Sequence, residues 1–254
     1  MLLILAPSKT QQFNKREYSE HTIPALINKA QYLVDRICML SKDQLSQLMK
    51  TSEKLTAATH DKFHSFHTPF TRGNADQTLF TFQGDSYKAI TAEKYSEENL
   101  LHAQQHLRIL SGLYGILRPL DLMQPYRLEM GSRFTTENFT TLYQFWGSLI
   151  TGIINETLDT LTDKTLINLA SAEYARVIDK KELAGRWIDI TFRQKHKGQY
   201  KTIPIHSKRA RGLMVDFMIT NRIDRAEDLL SFALDGYIYN NDVSTAENWH
   251  FYKG

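Results

Sequence analysis

Two arginines, two carboxylates and a tyrosine with chemistry to offer lie close together in SGLYGILRPLDLMQPYRLEMG, residues 111–131: Arg118, Asp121, Tyr126, Arg127 and Glu129. A guanidinium presents a rigid fork of donors that matches a phosphate, and a nearby carboxylate holds that fork in place. The backbone between them is constrained. Gly112 and Gly115 allow sharp turns, and Pro119 and Pro125 then pin the path. Two prolines so close together exclude a helix. The segment therefore reads as a rigid, irregular path that holds charges to a geometry. The competing reading is a buried ion-pair network that only locks a corner of the fold, although apolar residues would build such a corner at lower cost.

Charge elsewhere points to a polyanion. Residues 176–211 carry 11 Lys+Arg against 3 Asp+Glu, a net of +8, within a chain whose overall net charge is only +3. Such a strip would neutralise phosphates and release their counterions. A solvated hairpin with a basic outer face is the alternative. Two histidine sets, His60, His64 and His67, and His102 with His106, have spacings that can converge on a metal. No carboxylate or cysteine completes either set nearby, so surface or capping roles are expected, with no metal and no cofactor. Cys38 is the single cysteine and lies on an apolar helical face, which excludes a disulfide framework and fits a reducing cytoplasm.

The elements that must position these residues follow from periodicity. LLIL (2–5) reads as a buried strand, PALINKAQYLVDRICML (24–40) as a helix opening on Pro24, and KDQLSQLMK as a helix capped by Ser41. TLFTF (78–82) reads as a strand ahead of a Gly84–Asp85 turn, and Ser96 as the cap of a helix, EENLLHAQQHLRILSGL, that leads into the charged segment. A helix is expected over 141–161 and a central strand over 165–171. RWIDITFRQ and QYKTIPIHS form a hairpin around KHKG, Ser207 caps a further helix, and the last pieces are aromatic strands. The sum is one compact α+β domain over 1–254, a mixed sheet surrounded by helices. The alternation is too irregular for a doubly wound fold. Neither G-x-G-x-x-G nor G-x-x-x-x-G-K-[ST] occurs, so dinucleotide and P-loop readings lack their fingerprints. No run approaches a membrane span, and the amino end lacks the basic flank of a signal peptide.

LRILSGLYGILRPLDLMQPYRLEMG resembles the signature of the YaaA family, bacterial proteins of the peroxide-stress response. APSKT (6–10), SEKL (52–55), FQGDSY (82–87), YQFWG (143–147), NLASAEY (168–174) and KRARGLM (208–214) fall where that family's motifs fall, in the same order. The resemblance spans nearly the whole chain. It implies a fold particular to the family, a basic cleft, binding to double-stranded or structured DNA, and a role in limiting iron-driven damage. It also implies a helix-hairpin-helix-like element, here about 43–66, where Lys50, Lys54 and Lys62 would meet phosphate. The connection expected there, TSEKLTA, has no glycine for a backbone phosphate clamp. Lys9, Arg118, Arg127, Lys208 and Arg211 are expected to line one concavity, with Arg209 in the same basic motif. DNA is the expected partner, with no membrane and no protein partner. An enzyme is the alternative: Glu173 or Asp85 would act as acid or base on a nucleotide or on a damaged base or sugar.

Overall fold

The apolar run Leu2–Leu5 forms strand β1, fully buried near the middle of an eight-stranded sheet. The structure, a computed structural model, describes residues 1–13, 18 and 20–254. The other strands of this sheet are β2 (Leu107–Ser111), β3 (Gly115–Leu117), β4 (Thr165–Leu169), β5 (Arg186–His196), β6 (Gln199–Lys201), β7 (Ile238–Tyr239) and β8 (Asn248–Lys253). Their order is β7-β8-β5-β4-β1-β2-β3, with β6 paired to β5. The run β8-β5-β4-β1-β2 is parallel throughout, with Leu3 beside both Leu107 and Ile167. Antiparallel pairs close the remainder: β2 with β3, β5 with β6, and β7 with β8. Parallel strands covered on both faces need continuous apolar sequence, and β1, β2 and β4 supply it. The fold is α+β with a mixed sheet and one continuous core.

Helices cover the sheet. α1 (Ile27–Cys38) buries Ala30, Leu33, Val34 and Ile37, one stripe at helical spacing. α2 (Lys42–Met49) starts at Ser41 with a complete capping box, Ser41 and Gln44 exchanging side-chain to backbone hydrogen bonds. α3 (Glu53–His64), α4 (Glu97–His106), α5 (Leu142–Asp159) and α6 (Pro204–Thr220) follow. Among the described residues no helix is long and apolar enough to cross a membrane.

Several boundaries depart from expectation, each for a local reason. The helix expected to run on from Ser96 stops at His106, and Leu107–Ser111 becomes β2 instead. Burial between β1 and β3 outweighs helical propensity there. Arg108, buried on β2, donates to the Gln104 and Leu107 carbonyls at 2.9 Å each, satisfying acceptors where the helix ends. TLFTF is not a strand: Thr78–Thr81 forms one helical turn, and only Phe82–Gln83 is extended, paired with Thr10–Gln11. The Thr78 backbone N–H and hydroxyl both donate to the Asp121 carbonyl, which bends the chain at that point. Pro24 opens a turn before α1, donating nothing and accepting from the Ile27 N–H. Ser207 does not cap α6. That helix starts earlier, with Pro204 in its first turn, and Ser207 is buried inside it. The connection between α2 and α3 is only residues 50–52, because SEKLTA is already helical from Glu53.

Candidate anion-binding site

In an open parallel sheet, ligands sit outside the carboxyl ends of the strands, where successive connections leave in opposite directions. Here that point lies between β1, which connects onward to β2 on one side, and β4, which connects to β5 on the other. Beyond β1 the chain continues through Ala6, Pro7, Ser8 and Lys9. Beyond β4 it continues through Ser171 into a single helical turn, Ala172–Ala175, that carries Glu173 and Tyr174. A cavity of about 490 Å³ opens between these two ends. Gln83–Tyr87, Tyr126–Glu129 and two α6 residues, Lys208 and Arg211, complete its walls.

Close backbone approaches hold those walls together. Gly84 has φ +115°, and a Cβ there would lie 2.8 Å from Ser8 Oγ. Gly212 lets α6 press on the other wall, since a Cβ would lie 1.9 Å from the Ser86 carbonyl oxygen. The Ser86 hydroxyl donates to the Lys208 carbonyl at 2.8 Å. Tyrosines are similarly fixed. Tyr87 donates its hydroxyl to the Ala6 carbonyl at 2.9 Å, and Tyr126 shares a 2.7 Å hydrogen bond with Ser111. Burial pushes the Tyr87, Tyr126 and Tyr174 hydroxyls up, so all three are neutral and act as walls and hydrogen-bonding braces.

The charges are unevenly satisfied. Lys9 Nζ lies 2.7 Å from Glu129 Oε1, whereas Arg127 reaches the same oxygen only at 3.7 Å. Glu173 accepts the Gly131 N–H at 2.9 Å. Asp85 stands exposed on the rim. The Nε atoms of Arg127 and Arg211 are buried without a hydrogen-bond partner. Burial alone lowers the Arg211 pKa, with no carboxylate offsetting it. The arrangement can hold an anion on guanidinium forks beside carboxylates.

The residues singled out from the sequence are divided by this geometry. Lys9, Arg127, Lys208, Arg211, Glu173 and Asp85 line the cavity. Lys50 lines an adjoining groove of about 730 Å³ that shares Lys9, Arg127, Glu129 and Glu173 with it. Lys62, on α3, is near enough to Arg127 for that charge, after burial, to lower its pKa. Lys54 is exposed on α3 and lines neither space. Arg118 does not join the concavity. Asp121, three residues on, takes its Nε and Nη2 at 3.2 and 3.0 Å, and the Ile23 carbonyl takes a third contact. Arg209 points away toward Asp235, 3.8 Å distant. The 111–131 stretch therefore splits into a structural pair, in which only Asp121 is buried, and a cavity wall.

The basic segment is also divided. Arg176 lies over the Tyr143 ring, Lys180 pairs with Asp189 above Trp187, and Arg186 pairs with Glu227. Lys195, Lys197 and Lys201 are exposed on the hairpin. The histidines stack in pairs, His60 on His64 and His102 on His106. Among the described residues no three of His, Cys, Asp and Glu are arranged to hold a metal. Sequence reasoning missed Arg133, which lines the adjoining groove together with Gln44 and Gln47. Its only signal is a place two residues after Gly131, where the charged path continues.

Comparison with known proteins agrees with the motif order. The family described as "Peroxide stress protein YaaA" matches residues 1–243. A UPF0246 protein of Acaryochloris marina is 45% identical over 251 residues, covering 99% of each chain. One from Desulfotalea psychrophila is 46% identical over 251 residues, 99% of this chain and 97% of the relative. One from Colwellia psychrerythraea is 43% identical over 252 residues, 99% and 98%.

Proposed function

Because the chain belongs to the YaaA family of peroxide stress proteins, we propose that it binds double-stranded or structured DNA through phosphate contacts. Binding has little sequence preference, takes place in the cytoplasm and limits iron-driven damage to DNA during hydrogen peroxide stress. The observation that carries this reading is one continuous concavity whose cations come from separate elements. Lys9 follows β1, Lys50 joins α2 to α3, Arg127 comes from the charged path, and Lys208 and Arg211 come from α6. Cations spread along a concave wall suit a polyanionic backbone better than a set of base edges.

In this reading α2 and α3 act as a helix-hairpin-helix-like element, with Lys50 in the connection and Lys54 and Lys62 on the second helix facing phosphate. Contact there is through lysine side chains, since residues 50–52 contain no glycine. Arg118 and Arg209 are left out of the proposed surface because carboxylates outside the cavity hold them. Affinity for unrelated duplexes should agree within about threefold and fall with salt at a log–log slope of roughly −4 to −7, as expected for several neutralised phosphates. A flat salt dependence, or tight binding to one sequence alone, overturns the reading.

One observation favours a second reading. Glu173 and Asp85 line a partly enclosed cavity at the carboxyl ends of parallel strands, where α/β enzymes place their chemistry. There either carboxylate would serve as acid or base on a nucleotide or on a damaged base or sugar.

A further inference from the structure

Arg211 is a charge that the fold leaves unmatched. Its side chain is largely buried, its Nε has no hydrogen-bond partner, and no described carboxylate compensates it. A buried guanidinium without a counter-charge is unfavourable in the free protein and becomes favourable once an anion sits beside it. Arg127 is in a similar position, with a buried Nε and a carboxylate only at 3.7 Å. Lys208, one turn before Arg211 on α6, faces the same cavity. Glu129 is meanwhile matched by Lys9 at 2.7 Å, and Glu173 is engaged by the Gly131 N–H.

Size and lining narrow the ligand further. A space of about 490 Å³ falls in the range of small-molecule sites, and a duplex can meet it only along its rim. Ala6 and Pro7 contribute apolar surface over the buried Leu5, Leu128 and Leu169, and the Tyr126 and Tyr87 hydroxyls are already committed to Ser111 and Ala6. A phosphodiester in a DNA backbone carries one charge. A phosphomonoester carries nearly two at neutral pH, which matches the unpaired cations better.

We propose that the cavity binds a phosphomonoester of mononucleotide size, its phosphate held by Arg211, Arg127 and Lys208 and its organic part set against Ala6 and Pro7. The chemistry is shared by a free mononucleotide and by the terminal nucleotide of a 5′-phosphorylated DNA end. The site shares Arg127, Lys208 and Arg211 with the proposed contacts to duplex phosphates, so the two readings are tested with different probes.

The test is a calorimetric titration of the full chain with deoxyadenosine 5′-monophosphate, with deoxyadenosine, and with one DNA hairpin carrying either a 5′-phosphate or a 5′-hydroxyl. Wild type, Arg211→Met, Arg211→Lys and Lys164→Met are compared, Lys164 being an exposed lysine before β4 that pairs with Asp159 and lines neither space. At least one phosphorylated probe should bind at least about tenfold more tightly than its unphosphorylated counterpart, a difference of about 1.4 kcal/mol. Arg211→Met should lose that binding at least tenfold, Arg211→Lys should lose part of it, and Lys164→Met should match wild type. Without ligand, Arg211→Met should melt at or above the wild-type temperature, because a buried unmatched charge has been removed. Discrimination between the two hairpins identifies a DNA end as the source. Discrimination confined to the free nucleotide identifies a soluble ligand. No phosphate preference in either probe pair overturns the proposal, as does unchanged binding by Arg211→Met. A clear loss of ligand-free stability in Arg211→Met also overturns it, since the fold would then be using that charge. A duplex without terminal phosphates remains the probe for the DNA reading, so the two can fail independently.

Discussion

Individual side chains divide between those the fold consumes and those it leaves available. Asp121 is almost fully buried and is consumed: it accepts from Arg118 and from the Thr22 hydroxyl at 2.5 Å. Glu173 is only partly committed, through one oxygen on the Gly131 N–H. An amide at that position keeps an oxygen to accept the same hydrogen bond, so Glu173→Gln should fold normally and retain DNA binding. The two functional readings separate on this variant. Wild type and Glu173→Gln, incubated with damaged and undamaged DNA and with free nucleotides, should both leave every substrate mass unchanged if the carboxylate only shapes the cavity. Product formed by wild type, and reduced roughly 10²–10⁴-fold by the variant, would establish Glu173 as an acid–base group instead. Lys9, Arg127, Lys208 and Arg211 were legible in the sequence because each lies in a short charged motif with glycine, proline or further basic residues beside it. Arg118 has the same credentials. What the sequence did not reveal is that Asp121 and the Ile23 carbonyl would capture it, because that depends on where the chain folds back.

At the scale of elements, the junction of α4 with β1 and β2 is built around neutral histidines. His102 donates or accepts through Nε2 at the Ile223 carbonyl, and His106 through Nδ1 at the Met1 carbonyl. Burial, then the His106 ring, pulls the His102 pKa from 6.5 to about 4, and burial likewise lowers His106. The amino terminus and Arg108 oppose protonation from neighbouring elements, while Asp224 favours it. The sign follows directly. Between pH 6.5 and about 4 the unfolded chain takes up protons that the folded chain refuses, so stability is lost as pH falls through that window. For a half-exposed ring the loss should be on the order of 1 kcal/mol after solvent screening, or roughly 2–4 °C in Tm. His102→Gln should flatten the decline measured by thermal melts across that range, and an identical decline in the variant would contradict the assignment. Elements with their own local signals were legible: Ser41 with Gln44 announces α2, and Thr141 announces α5 by accepting the Gln144 N–H. Leu107–Ser111 and Thr78–Thr81 were not. Both are short apolar pieces whose form is decided by neighbours distant in sequence, β1 in one case and Asp121 in the other.

At the scale of the whole molecule, composition and element order are enough to indicate an α+β domain, but the longest parallel run is a product of pairing. β8, from the last residues of the chain, lies parallel to β5, and β1 is held between β2 and β4. The crevice between β1 and β4 exists only because of that order, which no local pattern encodes. It brings residues near positions 9, 85, 127, 173 and 211 to one concavity. The central claim is that this concavity meets the phosphates of duplex DNA. Its most direct test is the salt dependence of binding by wild type and by an Arg127→Gln/Lys208→Gln double variant, on a duplex without terminal phosphates. Each lost phosphate contact lowers the magnitude of the slope by about 0.9. The double variant should therefore bind more weakly, with a slope about 1–2 shallower than that of wild type. Equal affinity and an equal slope for the two proteins would contradict the claim and move DNA binding to another face.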